Sequence, residues 1–146
     1  MKISQFPIFQ KFSLCLLLFI HFGCSWYIYD KNIENQKIET TYYQNGNIEY
    51  ESEYKYGNLH GVTKYWDESE NLISEATYSN GKLHGVLITY FPDGSVKSTV
   101  NYYYGQKHGN EKRFYENGQL QSLTEYEEGE VIFETIRWKK NGDLIP

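Results

Sequence analysis

The sequence predicts an all-β fold: an elongated, single-layer, twisted antiparallel sheet of stacked β-hairpins. Three observations predict it. The stretch GNLHG at Gly57–Gly61 returns as GKLHG at Gly81–Gly85 and as GQKHG at Gly105–Gly109, each time after 24 residues. Eleven of the twelve glycines fall into three columns at that period. Gly57, Gly81, Gly105 and Gly129 form the first; Gly46, Gly94, Gly118 and Gly142 the second, with Glu70 the exception; Gly61, Gly85 and Gly109 the third, with Phe133 the exception. The chain is also 18% aromatic, with 15 Tyr and only 3 Pro. Tyr, Thr and Val suit half-buried pleated surfaces, and a fixed period of this size means stacked units that each contact chiefly their neighbours.

Taken from the N-terminus, residues 1–23 read as a lipoprotein-type signal peptide. Lys2 and Lys11 precede the apolar run Phe12–Ile20, which is too short to cross a bilayer that needs about 20 apolar residues. Gly23 then stands directly before Cys24, which resembles a bacterial lipoprotein box and implies Cys24 as the lipidation site. His21 and Phe22 depart from the small and aliphatic residues usual in that box. Two other readings stay open: an uncleaved anchor over 12–29, and ordinary cleavage or a cytoplasmic protein. Cys15 lies inside the apolar run, so nothing downstream of Cys24 can form a disulfide or a thiolate metal site. Residues 24–40 read as a polar tether, and 41–146 as the repeat array.

The array holds four full units and a truncated fifth, and each full unit reads as a hairpin. Asn-Gly or Asp-Gly at 45–46, 93–94, 117–118 and 141–142 supplies the positive φ that tight turns need. A second turn is expected over Gly105–Gly109, followed by a shorter strand toward Phe114. Alternation then places Val96, Ser98, Val100, Tyr102, Lys112 and Phe114 on one face, with Lys97, Thr99, Asn101, Glu111 and Arg113 on a solvated face. Four and a half units at ~9.6 Å each give about 45 Å. Aromatic columns run through the array: Tyr54, Tyr78, Tyr102 and Tyr126 in one, and Tyr42, Trp66, Tyr90, Phe114 and Trp138 in another. The last unit replaces His-Gly by Ile132-Phe133, an atypical end of the kind a capped repeat array requires.

The stretches YQNGNIEYESEYKYGNLHGVTKYW and FYENGQLQSLTEYEEG resemble MORN repeats, and in particular the 24-residue bacterial variant of the YwqK-like antitoxin family. The resemblance covers 41–146. It implies the hairpin sheet, places the His-Gly pair in the repeat consensus, and allows a cytoplasmic antitoxin that neutralises a toxin by direct binding.

The chemistry that the residues allow is narrow. His60, His84 and His108 form a column, but equivalent residues of stacked hairpins lie about 9.6 Å apart, so the three cannot share one ion at ~2.1 Å. Each histidine is expected to hydrogen-bond across its turn. No phosphate loop accompanies the glycines. The Ser74, Ser98 and Ser122 column is remote from the histidines, and Glu49, Glu51 and Glu53 alternate onto a solvated strand face. No enzyme, cofactor or metal is expected.

A net charge of −5 disfavours nucleic acid as a partner; without Lys2 and Lys11 the mature chain carries 12 positive against 19 negative charges, or −7. One sheet layer leaves its apolar face incompletely covered, which points to a partner surface. Tyr43, Phe91, Tyr103, Tyr104 and Tyr115 are the candidate ligand-facing aromatics. The expected function is a non-catalytic protein-interaction module, membrane-anchored through Cys24 and facing the periplasm or exterior. A cell-wall glycan-binding module is a further alternative.

Overall fold

The structure, a computed structural model, describes residues 35–146. The expected signal peptide over 1–23, the expected lipidation site Cys24, Cys15 and the alternative anchor over 12–29 lie outside the described residues. Eleven antiparallel strands form one open sheet: β1 Gln36–Tyr42, β2 Ile48–Lys55, β3 Asn58–Trp66, β4 Leu72–Ser79, β5 Lys82–Tyr90, β6 Val96–Tyr103, β7 Gln106–Phe114, β8 Leu120–Glu127, β9 Glu130–Val131, β10 Ile136–Trp138 and β11 Leu144–Ile145. Neighbours in sequence are neighbours in the sheet from β1 to β8; β8 then pairs with both β9 and β10, and β10 with β11. β1 corrects the tether reading at one point. Gln36–Thr40 is not tether but strand, paired from Gln36 opposite Lys55 to Thr41 opposite Tyr50. Its hydrogen bonds to β2 override its polar composition.

Two kinds of turn alternate. At one end of the strands, Tyr56-Gly57, Asn80-Gly81, Tyr104-Gly105 and Glu128-Gly129 are two-residue turns with positive φ at both positions. That is the type I′ geometry, whose twist matches the twist of the strands it joins. At the other end, loops close by a pair of backbone bonds, such as Gly46 N–H to Tyr43 O at 3.0 Å and Tyr43 N–H to Asn47 O at 2.9 Å. An Asn or Asp side chain inside these loops accepts from the backbone two residues on, as Asp93 does from Ser95 N–H at 2.9 Å. The one unit without a glycine here, at Glu70, takes φ +65 in its place. Asp67 binds that loop together, accepting from the N–H of Ser69 and of Asn71, each at 2.9 Å.

The expected second turn over Gly105–Gly109 is corrected. Only Tyr104-Gly105 turns; Gln106–Gly109 is already strand. Gly61, Gly85 and Gly109 sit inside β3, β5 and β7 at bulges, where three residues face one on the partner strand. Gly85 shows why: its φ is +120, and a Cβ there would lie 3.1 Å from Thr77 Cβ. The final hairpin carries Phe133 at this position, and the strand breaks into β9 and β10 while keeping the register of the other units.

The two-residue turn and the bulge after it shift the return strand by an odd number of residues from the expected register, which moves its side chains to the other face. Glu111 therefore lies opposite Val100 and Arg113 opposite Ser98, while Lys112 pairs with Thr99. The solvated-face assignment of Glu111 and Arg113 is corrected accordingly. The register joins Ser52, Thr63, Ala76, Leu87, Val100, Glu111 and Thr124 into one row across the front face. All six buried residues of the described chain belong to it, and four of them are polar. Small side chains there let larger neighbours close over them from both sides. Tyr50 and Tyr65 (ring centroids 5.6 Å apart) flank the row on one side, and Tyr54, Tyr78, Tyr102 and Tyr126 on the other.

Candidate functional site

The aromatic residues separate into framework and exposed groups. Tyr54, Tyr78, Tyr102 and Tyr126 are half-buried, as are Trp66, Tyr90, Phe114 and Trp138. Burial pushes the Tyr78 hydroxyl above its ordinary pKa. Tyr43 and Tyr115, expected as ligand-facing, are structural: their hydroxyls donate to Trp66 O at 2.8 Å and Trp138 O at 2.9 Å, each stitching one loop to the next. Phe91 is half-buried, with Lys97 Nζ 5.8 Å over its ring, and Tyr103 and Tyr104 are exposed, at 55% and 54%.

Tyr103 follows front-facing Tyr102 and so points to the back face. Its ring lies 5.0 Å from His84, 5.8 Å from His108 and 4.7 Å from Tyr104, and Tyr104 stands edge-on to His84 at 4.8 Å. Two members of the histidine column are thus bridged by a tyrosine, and a shallow cleft beside them is lined by Gln106 and Glu128 as well. At His60 and His84 the expected hydrogen bond across the turn does not form at Nδ1, which is buried with no partner among the described residues. The imidazoles lie within the strands rather than in the turn, which directs the rings to aromatic neighbours. Among the described residues no group of three His, Cys, Asp or Glu could hold a metal ion.

The turn beside this cluster holds a non-glycine residue at positive φ, as the equivalent turns do at Tyr56, Asn80 and Glu128. Tyr104 holds φ +46, a conformation that Asn adopts at lower cost, and Asn80 occupies the equivalent turn one unit earlier. Tyr56, 60% exposed at φ +51, repeats the arrangement at the first of these turns.

The front face carries a charged inlay. Glu111, with its side chain 7% exposed, accepts from Lys107 Nζ at 2.6 Å and from Arg113 Nε at 2.9 Å, with Arg113 Nη2 2.8 Å from the same oxygen. Burial pushes its carboxyl up, and the two cations outweigh that and hold it below its ordinary pKa. The bond to Glu111 holds the Lys107 ammonium above its usual value against burial. Lys107 also lies 4.6 Å over the Tyr126 ring. The equivalent residues in the two preceding units are Leu59 and Leu83, Thr63 and Leu87, and Tyr65 and Thr89, so all three charges enter together. Their joint appearance in one unit was the available sequence signal, hidden by the misplaced turn. At the C-terminal end, Val131, Ile132, Phe133, Ile136, Leu144 and Ile145 are exposed, so this end presents apolar side chains instead of a polar cap.

Set beside this geometry, the MORN repeat variant matches four times, at residues 36–56, 59–80, 83–102 and 107–128. These matches cover more than half of the chain. The chain belongs to the MORN repeat variant family. Its first match begins at Gln36, the first residue of β1, and the four matches follow the hairpins. MORN repeats are in general protein- and membrane-interaction modules, and MORN repeat proteins are typically non-catalytic. No curated protein matches the chain.

Proposed function

We propose that this MORN repeat protein is a non-catalytic interaction module of the cell envelope, lipidated at Cys24 and tethered to the membrane through the residues before β1. It binds another protein through the back-face cluster of His84, Tyr103, Tyr104 and His108. The observation that carries the binding surface is the cluster itself: Tyr103 and Tyr104, 55% and 54% exposed, with rings 5.0 and 4.8 Å from His84 and 4.7 Å from each other. The anchor rests on Lys2 and Lys11, the apolar run after them and the Gly23-Cys24 pair.

Membrane partition and intact mass of the wild type against Cys24→Ala test the anchor. An acylated wild type that starts at Cys24, with a mutant lacking the acyl chains, supports it. If both stay unprocessed in the cytoplasm, the antitoxin-like reading takes its place. A photo-crosslinker at position 103 tests the surface. A discrete protein adduct that Tyr104→Asn abolishes is expected, while the same substitution raises thermal stability. A purified protein that crosslinks to no protein but is retained on cell-wall glycan would refute the protein-binding reading in favour of the glycan one, for which the exposed Tyr103–Tyr104 pair speaks.

A further inference from the structure

The two ends of the sheet differ. At the C-terminal end the last strands have three and two residues, too short to template an added strand. At the other end β1 offers seven residues and, among the described residues, pairs only with β2. Its outward backbone groups are identifiable. Tyr56 N–H donates to Asn35 O at 2.9 Å, and Asn35 stands opposite Tyr56 in the register that carries Gln36 to Lys55. In an antiparallel ladder hydrogen-bonded pairs alternate with open ones, so Lys37, Glu39 and Thr41 bond inward to β2. The N–H and C=O groups of Gln36, Ile38 and Thr40 point out of the sheet's free edge.

We propose that β1 pairs antiparallel with β1 of a second copy of this chain, about a two-fold axis through Ile38. The charges on the strand select that register. Lys37 and Glu39 flank Ile38 on the same face, with side chains 69% and 42% exposed and 3.8 Å apart. Two-fold pairing centred on Ile38 sets Lys37 against the partner's Glu39 and Glu39 against the partner's Lys37. Centring on residue 39 instead opposes Glu39 with its own copy, and centring on residue 37 opposes Lys37 with its own copy. Centring between residues pairs outward-pointing backbone groups with inward-pointing ones and loses the ladder. Only the Ile38 register satisfies the backbone and also sets each charge against its opposite; centring on Thr40 sets Glu39 against Thr41. It also brings Ile38, 64% exposed on the opposite face from Lys37, against its own copy.

An axis normal to the sheet keeps the two front faces on one side and the two back faces on the other. The result is a closed, isologous dimer with one continuous sheet and two copies of the Tyr103 cluster facing the same way. An edge lysine usually discourages strand addition. Here the glutamate two residues on converts it into a selector for one partner, a second copy of the same strand.

The test is sedimentation equilibrium of the full chain in density-matched detergent over a concentration series. A monomer–dimer equilibrium is expected for the wild type. Lys37→Glu alone and Glu39→Lys alone each replace two attractions by two repulsions, and each should weaken its homodimer roughly ten-fold or more. Mixing these two variants restores complementarity and should yield a heterodimer; the double exchange Lys37→Glu/Glu39→Lys should restore the homodimer. Both positions are exposed, so circular dichroism of every variant should match the wild type. A wild type that is monomeric at every concentration overturns the proposal. So does a dimer indifferent to the single charge reversals, or a mixture that fails to recover association.

Discussion

Glutamate 111 is the one buried charge of the described chain, and Glu111→Gln isolates its contribution while keeping its shape. The substitution leaves Lys107 and Arg113 facing a neutral amide at the sites where they now approach at 2.6 and 2.8 Å. Removing one partner from a fully buried ion pair costs about 3–5 kcal/mol. That figure is too high here, because the Lys107 and Arg113 side chains are 33% and 60% exposed and can turn back to water. A loss of about 1.5–2.5 kcal/mol is expected, in the range of two charge-assisted hydrogen bonds weakened and not abolished. For an array of this size that lowers the thermal midpoint by roughly 6–10 °C near pH 7.

The pH dependence has a definite sign. The folded carboxyl of Glu111 is held below its ordinary pKa, so its contribution is complete above the unfolded value and is lost as pH falls through the folded one. The gap between wild type and Glu111→Gln should therefore close in acid, below about pH 4. Thermal melts followed by circular dichroism from neutral to acid pH measure both effects. Equal midpoints at pH 7, or an equal deficit in strong acid, would refute the assignment of the buried carboxylate. The combined exchange Lys107→Leu, Glu111→Leu and Arg113→Thr imports the residues of the preceding unit and should hold or raise stability, since replacing a whole buried ionic group by packed apolar residues removes its desolvation cost.

Two further outcomes follow from the backbone. Gly85→Ala combines φ +120 with a Cβ 3.1 Å from Thr77 Cβ and should cost about 2–3 kcal/mol in urea denaturation, whereas Gly81→Ala, with open space around it, should cost only about 1 kcal/mol. Equal losses at the two positions would remove close approach as the reason for the third glycine column. Glu70→Gly relieves a non-glycine residue at φ +65 and should raise stability by about 0.5–1 kcal/mol in the same assay; a loss would mean that the Asp67 hydrogen bonds depend on the Glu70 conformation.

The family and the hairpin architecture were legible in the sequence because both depend on period and local backbone conformation. A glycine column announces positive φ wherever it stands, and Tyr, Thr and Val between such columns leave strands as the only economical element. Where β1 begins was not legible, because QKIETT becomes strand only through hydrogen bonds to β2, residues 50–55 away along the hairpin. The role of each glycine column was half legible. Gly57 and Gly61 look alike in the sequence, yet one turns the chain and the other bulges a strand, and only the pairing register separates them.

The site depended on that register. GQKHG read as a five-residue turn puts Glu111 in water; Tyr104-Gly105 as a two-residue turn puts it at the centre of the front face beside Lys107 and Arg113. Tyr43 and Tyr103 are equal candidates as letters at variable positions, and the hydrogen bond to Trp66 O separates framework from surface. By itself the sequence determined that this protein repeats one β-hairpin at a 24-residue period, since period and turn conformation are properties of neighbouring residues. Which side chains share a face, and so which charges pair and which rings stand exposed, was decided only by the tertiary structure, because one residue of register moves every side chain of a strand across the sheet.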